Sequence, residues 1–115
     1  MPLLRLQTNL ELDQEKKTAL SAALSRKVGE WLDKPEDYVQ VTLESNVCMR
    51  FGGTEDPSAF VEIRSLGFYG FNQAEISHAL CEYLQAECSI SQERVFINFF
   101  DMERENWGWN GKTFG

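Results

Sequence analysis

A strand-helix-strand pattern is written twice along this chain, and the duplication narrows the folds open to it. Residues 2–8 (Pro-Leu-Leu-Arg-Leu-Gln-Thr) alternate apolar and polar, as do residues 59–65 (Ala-Phe-Val-Glu-Ile-Arg-Ser). A period of two marks a strand with one buried face. Each run leads into a stretch where apolar residues recur every four positions. These are Leu20, Leu24, Val28 and Leu32 in the first half, and Ile76, Leu80 and Leu84 in the second. That spacing predicts helices, with Asp13 and Asn72 placed as N-caps. Each helix hands over to a second strand, residues 38–43 and 94–99, through turns at Lys34-Pro35 and at residues 89–92. Pro35 is expected to stop the first helix, because a proline disfavours helical backbone in the residue before it.

Units of this length join parallel strands through a right-handed crossover. Two of them predict an α/β fold in a single domain over residues 1–115, with halves of about 2–45 and 59–101. The expected architecture is a four-stranded mixed sheet carrying both helices on one face. The helix-facing set is Leu4, Leu6, Val39, Val41, Leu43, Val61, Ile63, Val95, Ile97 and Phe99. Arg5, Gln7, Gln40, Thr42, Glu62, Arg64, Phe96 and Asn98 fall on the other face. That face either meets water or lines a wet interior formed by several subunits, and periodicity does not separate the two. Between the halves, Gly52-Gly53 and Pro57 mark a tight turn with positive-φ positions. The tail sets Trp107 and Trp109 among glycines and asparagines. It is a poor helix, and it walls a pocket, packs on its own domain or adds a strand to a neighbour's edge.

Composition closes several functional classes. The net charge is −7 and no basic run exceeds Lys16-Lys17, so the footprint needed for a phosphate backbone is missing and no nucleic-acid partner is expected. No apolar stretch approaches the roughly 18 residues of a membrane span, and no membrane partner is expected. No basic, apolar leader precedes the first strand. The expected location is therefore the cytoplasm, with any secretion by a route lacking a signal peptide. Cys48, Cys81 and Cys88 form an odd set without a Cys-x-x-Cys. On one helix, Cys81 and Cys88 would stand about 10.5 Å apart along the axis, beyond the roughly 7 Å a disulfide spans. The three are expected to be small apolar residues. One histidine, His78, without a carboxylate partner evident in sequence, leaves no zinc-type metal site. No cofactor is expected. Glu82, Glu87, Glu93, Glu103 and Glu105 read as a solvated face.

Met1-Pro2 precedes the first strand directly. Initiator methionine is trimmed before small residues, and the chain would then begin with a secondary amine at a strand tip. An α-amino group titrates at about 7.7–8.0, and partial burial lowers that further by disfavouring the cation. Such an amine suits a general base near neutral pH. Read structurally, Pro2 is only a start-of-strand proline, where no ladder hydrogen bond is lost.

Together these blocks resemble the macrophage migration inhibitory factor family of the tautomerase superfamily. The resemblance is carried by Met1-Pro2, Thr8-Asn9, Lys34-Pro35 with Tyr38, Phe51-Gly52-Gly53 and Ser65-Leu66-Gly67. It continues through Leu80-Cys81, Arg94-Val95, Ile97-Asn98, Asp101-Met102, Gly108-Trp109-Asn110 and Thr113-Phe114. It implies a homotrimer with sites at subunit interfaces, and keto-enol tautomerisation of a small aromatic keto acid such as phenylpyruvate. Pro2 would be the catalytic base and Lys34 would attract the substrate carboxylate. Leu66 would offer its backbone N–H, and Asn98 of a neighbouring subunit an amide donor. Trp107, Trp109 and Phe114 would wall the aryl ring. The other role the resemblance implies is a cytokine-like protein with a vestigial pocket.

Three departures qualify it. Phe96 stands where vertebrate members have tyrosine, which removes a hydroxyl from the substrate-binding set and is expected to weaken handling of polar ring substituents. Ser58-Ala59-Phe60-Val61 replaces the Cys-x-x-Cys linked to thiol redox activity in some members. The loop Glu11-Leu12-Asp13 lacks the arginine that vertebrate members present to a chemokine receptor, which leaves receptor partnership uncertain.

Overall fold

A computed structural model describes residues 1–115. Strand β1 (Leu3–Thr8) is followed by α1 (Gln14–Trp31) and β2 (Gln40–Glu44). The second half gives β3 (Ala59–Ser65), α2 (Gln73–Cys88) and β4 (Val95–Asp101). The strands form one mixed sheet in the order β2-β1-β3-β4. Each half contributes a parallel pair, and the halves join where β1 runs antiparallel to β3. The expected architecture is therefore the one observed. Both helices begin at the anticipated caps. Asp13 accepts the Lys16 N–H at 2.7 Å, and Asn72 forms a full capping box with Glu75.

One apolar layer lies between helices and sheet. Leu4, Leu6, Val61 and Ile63 from the central strands meet Leu24, Val28, Ile76, Leu80 and Leu84 from the helices. Val39, Val41, Leu43, Ile97 and Phe99 belong to edge-strand segments and are only partly buried against it. The shortest dimension is 22 Å, room for one helix layer about 10–12 Å across and one sheet. The opposite face is uncovered. Across it runs a charge ladder: Glu44 to Arg5 at 3.2 Å, Arg5 to Glu62 at 3.6 Å, and Glu62 to Arg64 at 3.1 Å. Arg64 then lies 4.0 Å over the Phe100 ring.

The end of the sheet remote from the N-terminus is tied by polar contacts. Thr8 Oγ1 donates to the Ser58 carbonyl at 2.8 Å, and Asn9 Nδ2 donates to the carbonyls of Glu55 and Asp56. Arg94 donates to the carbonyls of Thr54, Asp56 and Pro57. Gly52 and Gly53 take the positive φ expected of them.

Several expectations are corrected. Helix α1 ends at Trp31 with Leu32 as cap and Asp33 left-handed, before Pro35 acts. Residues 36–38 close a short 3-10 turn, with the Tyr38 N–H on the Pro35 carbonyl, so β2 starts at Gln40 rather than Tyr38. Arg94 likewise belongs to a 3-10 turn, while β4 runs on to Asp101 because Ser65 still pairs there. Cys81 and Cys88 pack as apolar groups, their thiols pushed above the usual range first by burial. Cys48 is exposed. His78 does find a carboxylate, Glu82, one helical turn on at 3.2 Å.

Leu80 has no exposed surface, so Leu80→Ala should lower the unfolding free energy by about 2–5 kcal/mol. His78→Ala, on an exposed pair, should stay within about 0.5 kcal/mol. Urea unfolding of both variants checks the contrast, and equal midpoints would refute the placement of α2.

Candidate active site

The pairing registers gather four chain segments at one end of the sheet. Leu3 pairs with Gln40 on one side and Arg64 on the other, while Ser65 pairs with Asp101. The N-terminus, the turn before β2, the loop after β3 and the segment after β4 therefore meet. Between them lies a cleft of about 740 Å³, within the usual range for small-molecule sites. Met1, Lys34, Pro35 and Tyr38 line one side. Leu66, Phe68 and Tyr69 line another, with Met102, Arg104 and Phe114 closing it.

A second hollow of about 260 Å³ adjoins it and shares Met1, Tyr38 and Phe114 as walls. Pro2, Trp107 and Trp109 line this smaller space. Pro2 is buried and its carbonyl accepts the Gln40 N–H at 3.0 Å, which fixes the strand tip.

The tail is built as a hairpin. Strand β5 (Gly108–Trp109) pairs antiparallel with β6 (Lys112–Thr113). Asn110 and Gly111 both take positive φ at the turn, the signature of a tight two-residue hairpin. The Asn-Gly dipeptide is the sequence signal for this hairpin, which the expectation of a poor helix did not include. Trp109 stacks on Phe114 with centroids 5.7 Å apart, and Tyr38 meets Trp109 edge-on at 5.9 Å. Arg104 Nε donates to the Phe114 carbonyl at 3.0 Å, and the Phe114 N–H donates to the Trp107 carbonyl at 3.2 Å. The tail thus packs on its own chain and walls the pocket.

Two groups give the cleft its electrostatic character. The chain's amine, on Met1, is held below its ordinary value of 8.0, first by burial and second by the Lys34 charge. Lys34 Nζ donates to the Leu66 carbonyl at 3.4 Å. Asp101, also on the cleft wall, accepts the Gly67 N–H at 3.1 Å. The site therefore favours loss of the amine's proton beside a lysine among aromatic walls. No group of acidic, histidine or cysteine side chains has the geometry for a metal ion.

Of the residues singled out from sequence, Lys34, Leu66 and Phe114 share the larger cleft, while Pro2, Trp107, Trp109 and Phe114 share the smaller. Phe96 and Asn98 lie in neither. Both are exposed on the open face of edge strand β4, and Phe96 packs 4.5 Å from Phe51. Tyr38, Phe68, Tyr69, Met102 and Arg104 join the lining without having been assigned a site role. They sit in turns and loops, where no periodicity points to them.

The family model described as macrophage migration inhibitory factor (MIF) matches residues 1–115. The chain is similar to the macrophage migration inhibitory factor of Xenopus tropicalis, at 36% identity over 115 residues and 99% of both sequences. It is also 36% identical over 117 residues, and 100% of both sequences, to the macrophage migration inhibitory factor homolog of Brugia malayi. The crystal structure of the homologue from Prochlorococcus marinus superposes with a TM-score of 0.90 at 34% identity, covering 98% of this chain and 99% of that one.

Because Arg104 holds the Phe114 carbonyl, Arg104→Ala should loosen the tail without unfolding the sheet. A lost hydrogen bond of about 1 kcal/mol corresponds to roughly fivefold faster opening. Hydrogen exchange at the Phe114 amide measures it, and an unchanged rate would show that the aromatic stack alone holds the tail.

Proposed function

The chain belongs to the macrophage migration inhibitory factor family, and we propose that it is a keto-enol tautomerase of phenylpyruvate-type aryl pyruvates. The family includes both tautomerases and cytokine-like proteins. What carries the enzymatic reading is the amine in the cleft, lowered in pKa by burial and by Lys34. In this reading Met1 is removed. Its loss takes away a wall shared by the two hollows and moves the amine one residue inward, to Pro2, which is itself buried.

The neutral Pro2 nitrogen takes a proton from the carbon next to the ketone. The released electron pair becomes the carbon-carbon double bond, and the carbonyl oxygen takes the negative charge. That oxygen receives the proton back from the prolinium, and the enol leaves with the amine neutral again. Lys34 draws the substrate carboxylate to the cleft, and the Leu66 backbone N–H binds beside it. Phe114, Trp107 and Trp109 form the apolar wall for the aryl ring. Fixed donors stabilise the developing enolate better than water can, because they need no reorganisation as charge moves.

Asn98 enters through a second copy of the chain. Its exposure on edge strand β4, outside the cleft of its own chain, supports a homotrimer in which one copy lends the amide to another's site. Phe96, on the same face, would approach that site with a ring but no hydroxyl. Light scattering at micromolar concentration should give the mass of a trimer; a stable monomer would remove the shared site.

Ultraviolet absorbance of phenylpyruvate follows the reaction directly. Acetylation of the Pro2 nitrogen, which abolishes its basicity, should lower kcat/KM by about a hundredfold or more, the range expected when general-base catalysis is lost. The active form is the neutral amine, so kcat/KM should rise with pH along a limb whose midpoint lies below the ordinary range of a terminal amine. Lys34→Ala removes one of the two causes of the lowered pKa, and should move that limb upward. Wild-type inactivity in protein verified by intact mass to begin at Pro2 would overturn the proposal.

A further inference from the structure

Tyr69 is 78% exposed, so burial does not account for where its ring lies. The ring rests on Gly67, where an added Cβ would come within 2.3 Å of Cε2 and 2.7 Å of the hydroxyl oxygen. Residue 67 also has φ +82, so a side chain there is excluded twice over. Across the ring stands Lys34, its Nζ 5.1 Å from the centroid and inside the roughly 6 Å reach of a cation–π contact.

The two residues come from segments docked on each other. Phe71 N–H donates to the Trp31 carbonyl at 2.6 Å. A Cβ on Gly70 would lie 2.1 Å from that same carbonyl oxygen, and one on Gly29 would lie 3.0 Å from the Lys34 carbonyl. The loop after β3 therefore sits against the end of α1 from which Lys34 emerges. Lys34 takes part in none of the chain's ion pairs, although the net charge is −7. Of the two carboxylates on the cleft wall, Asp101 is engaged by the Gly67 N–H and Glu103 makes no ion pair with Lys34.

We propose that Tyr69 is a positioning residue for Lys34: its ring face and the Leu66 carbonyl seat the ammonium from two sides, leaving the remaining N–H for the carboxylate of an aryl keto acid. This rests on the reading of the cleft as a carboxylate site. An ammonium has three donors and no acceptor. One is spent on Leu66, the quadrupole of the ring steadies a second side, and the third stays free because no protein carboxylate claims it. Tyr69 thereby sets affinity for the anionic end of the substrate and acts through Lys34 rather than on the reacting carbon.

Calorimetric titration of the full protein with 3-phenylpropanoate tests this, with the uncharged 3-phenylpropanamide as control. Neither compound can be turned over. Tyr69→Ala should weaken the acid about threefold to fivefold, the range of a cation–π contact, and leave the amide unchanged. Tyr69→Phe, which keeps the ring, should restore the affinity; Tyr69→Leu, which keeps bulk without a quadrupole, should not. In a Lys34→Ala background the Tyr69→Ala effect should vanish, as a double-mutant cycle requires of residues acting through one another. Equal losses for acid and amide, persistence of the effect without Lys34, or no binding of 3-phenylpropanoate by the wild type would each overturn the inference. A protein that fails to isomerise phenylpyruvate yet binds the acid in this Tyr69- and Lys34-dependent way keeps the inference and loses the catalytic reading.

Discussion

The antiparallel ladder between β1 and β3 is the constraint on which the rest of the structure depends. Each half of the chain is a parallel strand pair with its own helix, and alone that unit would leave one edge of β1 or β3 unpaired. Joining β1 to β3 places Leu4 opposite Ile63 and Leu6 opposite Val61, all at most 2% exposed, and merges two half-cores into one. The same ladder fixes polarity. Because β1 and β3 run in opposite directions, the start of β1 coincides with the end of β3. Each parallel pairing then carries that position sideways, to the turn before β2 and to the end of β4. A one-residue slip would turn every side chain of a strand to the wrong face, so the register that buries the core also assembles the cleft.

That dependence explains what could be read in the sequence. Leu20, Leu24 and Val28, Ile76, Leu80 and Leu84, and the caps Asp13 and Asn72 announce themselves by spacing and chemistry, because they answer to local geometry. Strand ends were less legible. Tyr38 and Arg94 alternate correctly with their neighbours, but hydrogen bonds within 3-10 turns take them out of the ladder. His78 found Glu82 through the four-residue helical spacing, a signal present in the sequence and passed over. The cleft is the least legible part, since Lys34, Leu66 and Phe114 come from three different connections. Only the family resemblance put them on one page, and it offered nothing for Tyr69 or Arg104, whose roles depend on where two loops dock.

The open face and the cleft present opposite uses of charge. On the open face Arg5, Glu62, Arg64 and Glu44 pair with one another in a partly solvated row, and such exposed pairs contribute little to stability singly. They do keep the face polar, so it needs no second helix layer. In the cleft Lys34 is left without a carboxylate in a protein that has an excess of them. On the cleft wall, Asp101 has its oxygen turned to a backbone N–H. What sets Lys34 apart from the chain's other unpaired cations is its place on the cleft wall, where its charge acts on the Met1 amine.

Lys34 lines the cleft and acts on the Met1 amine, so an anion bound to it would alter both at once. While the cleft is empty of anions, burial first and the Lys34 charge second push the Met1 amine below its ordinary value. A carboxylate bound to Lys34 would offset that repulsion, since the pair together carries no net charge at the distance of the amine. The amine would then bind a proton more tightly in the occupied site than in the empty one. An amine whose pKa is lowered in the empty site and raised again when an anion arrives would suit general-base catalysis. It requires no moving part, only that Lys34 be held where it can meet both the ligand and the amine. The Leu66 carbonyl and the loop docked on α1 supply that restraint, which returns the argument to the ladder that brings those segments together.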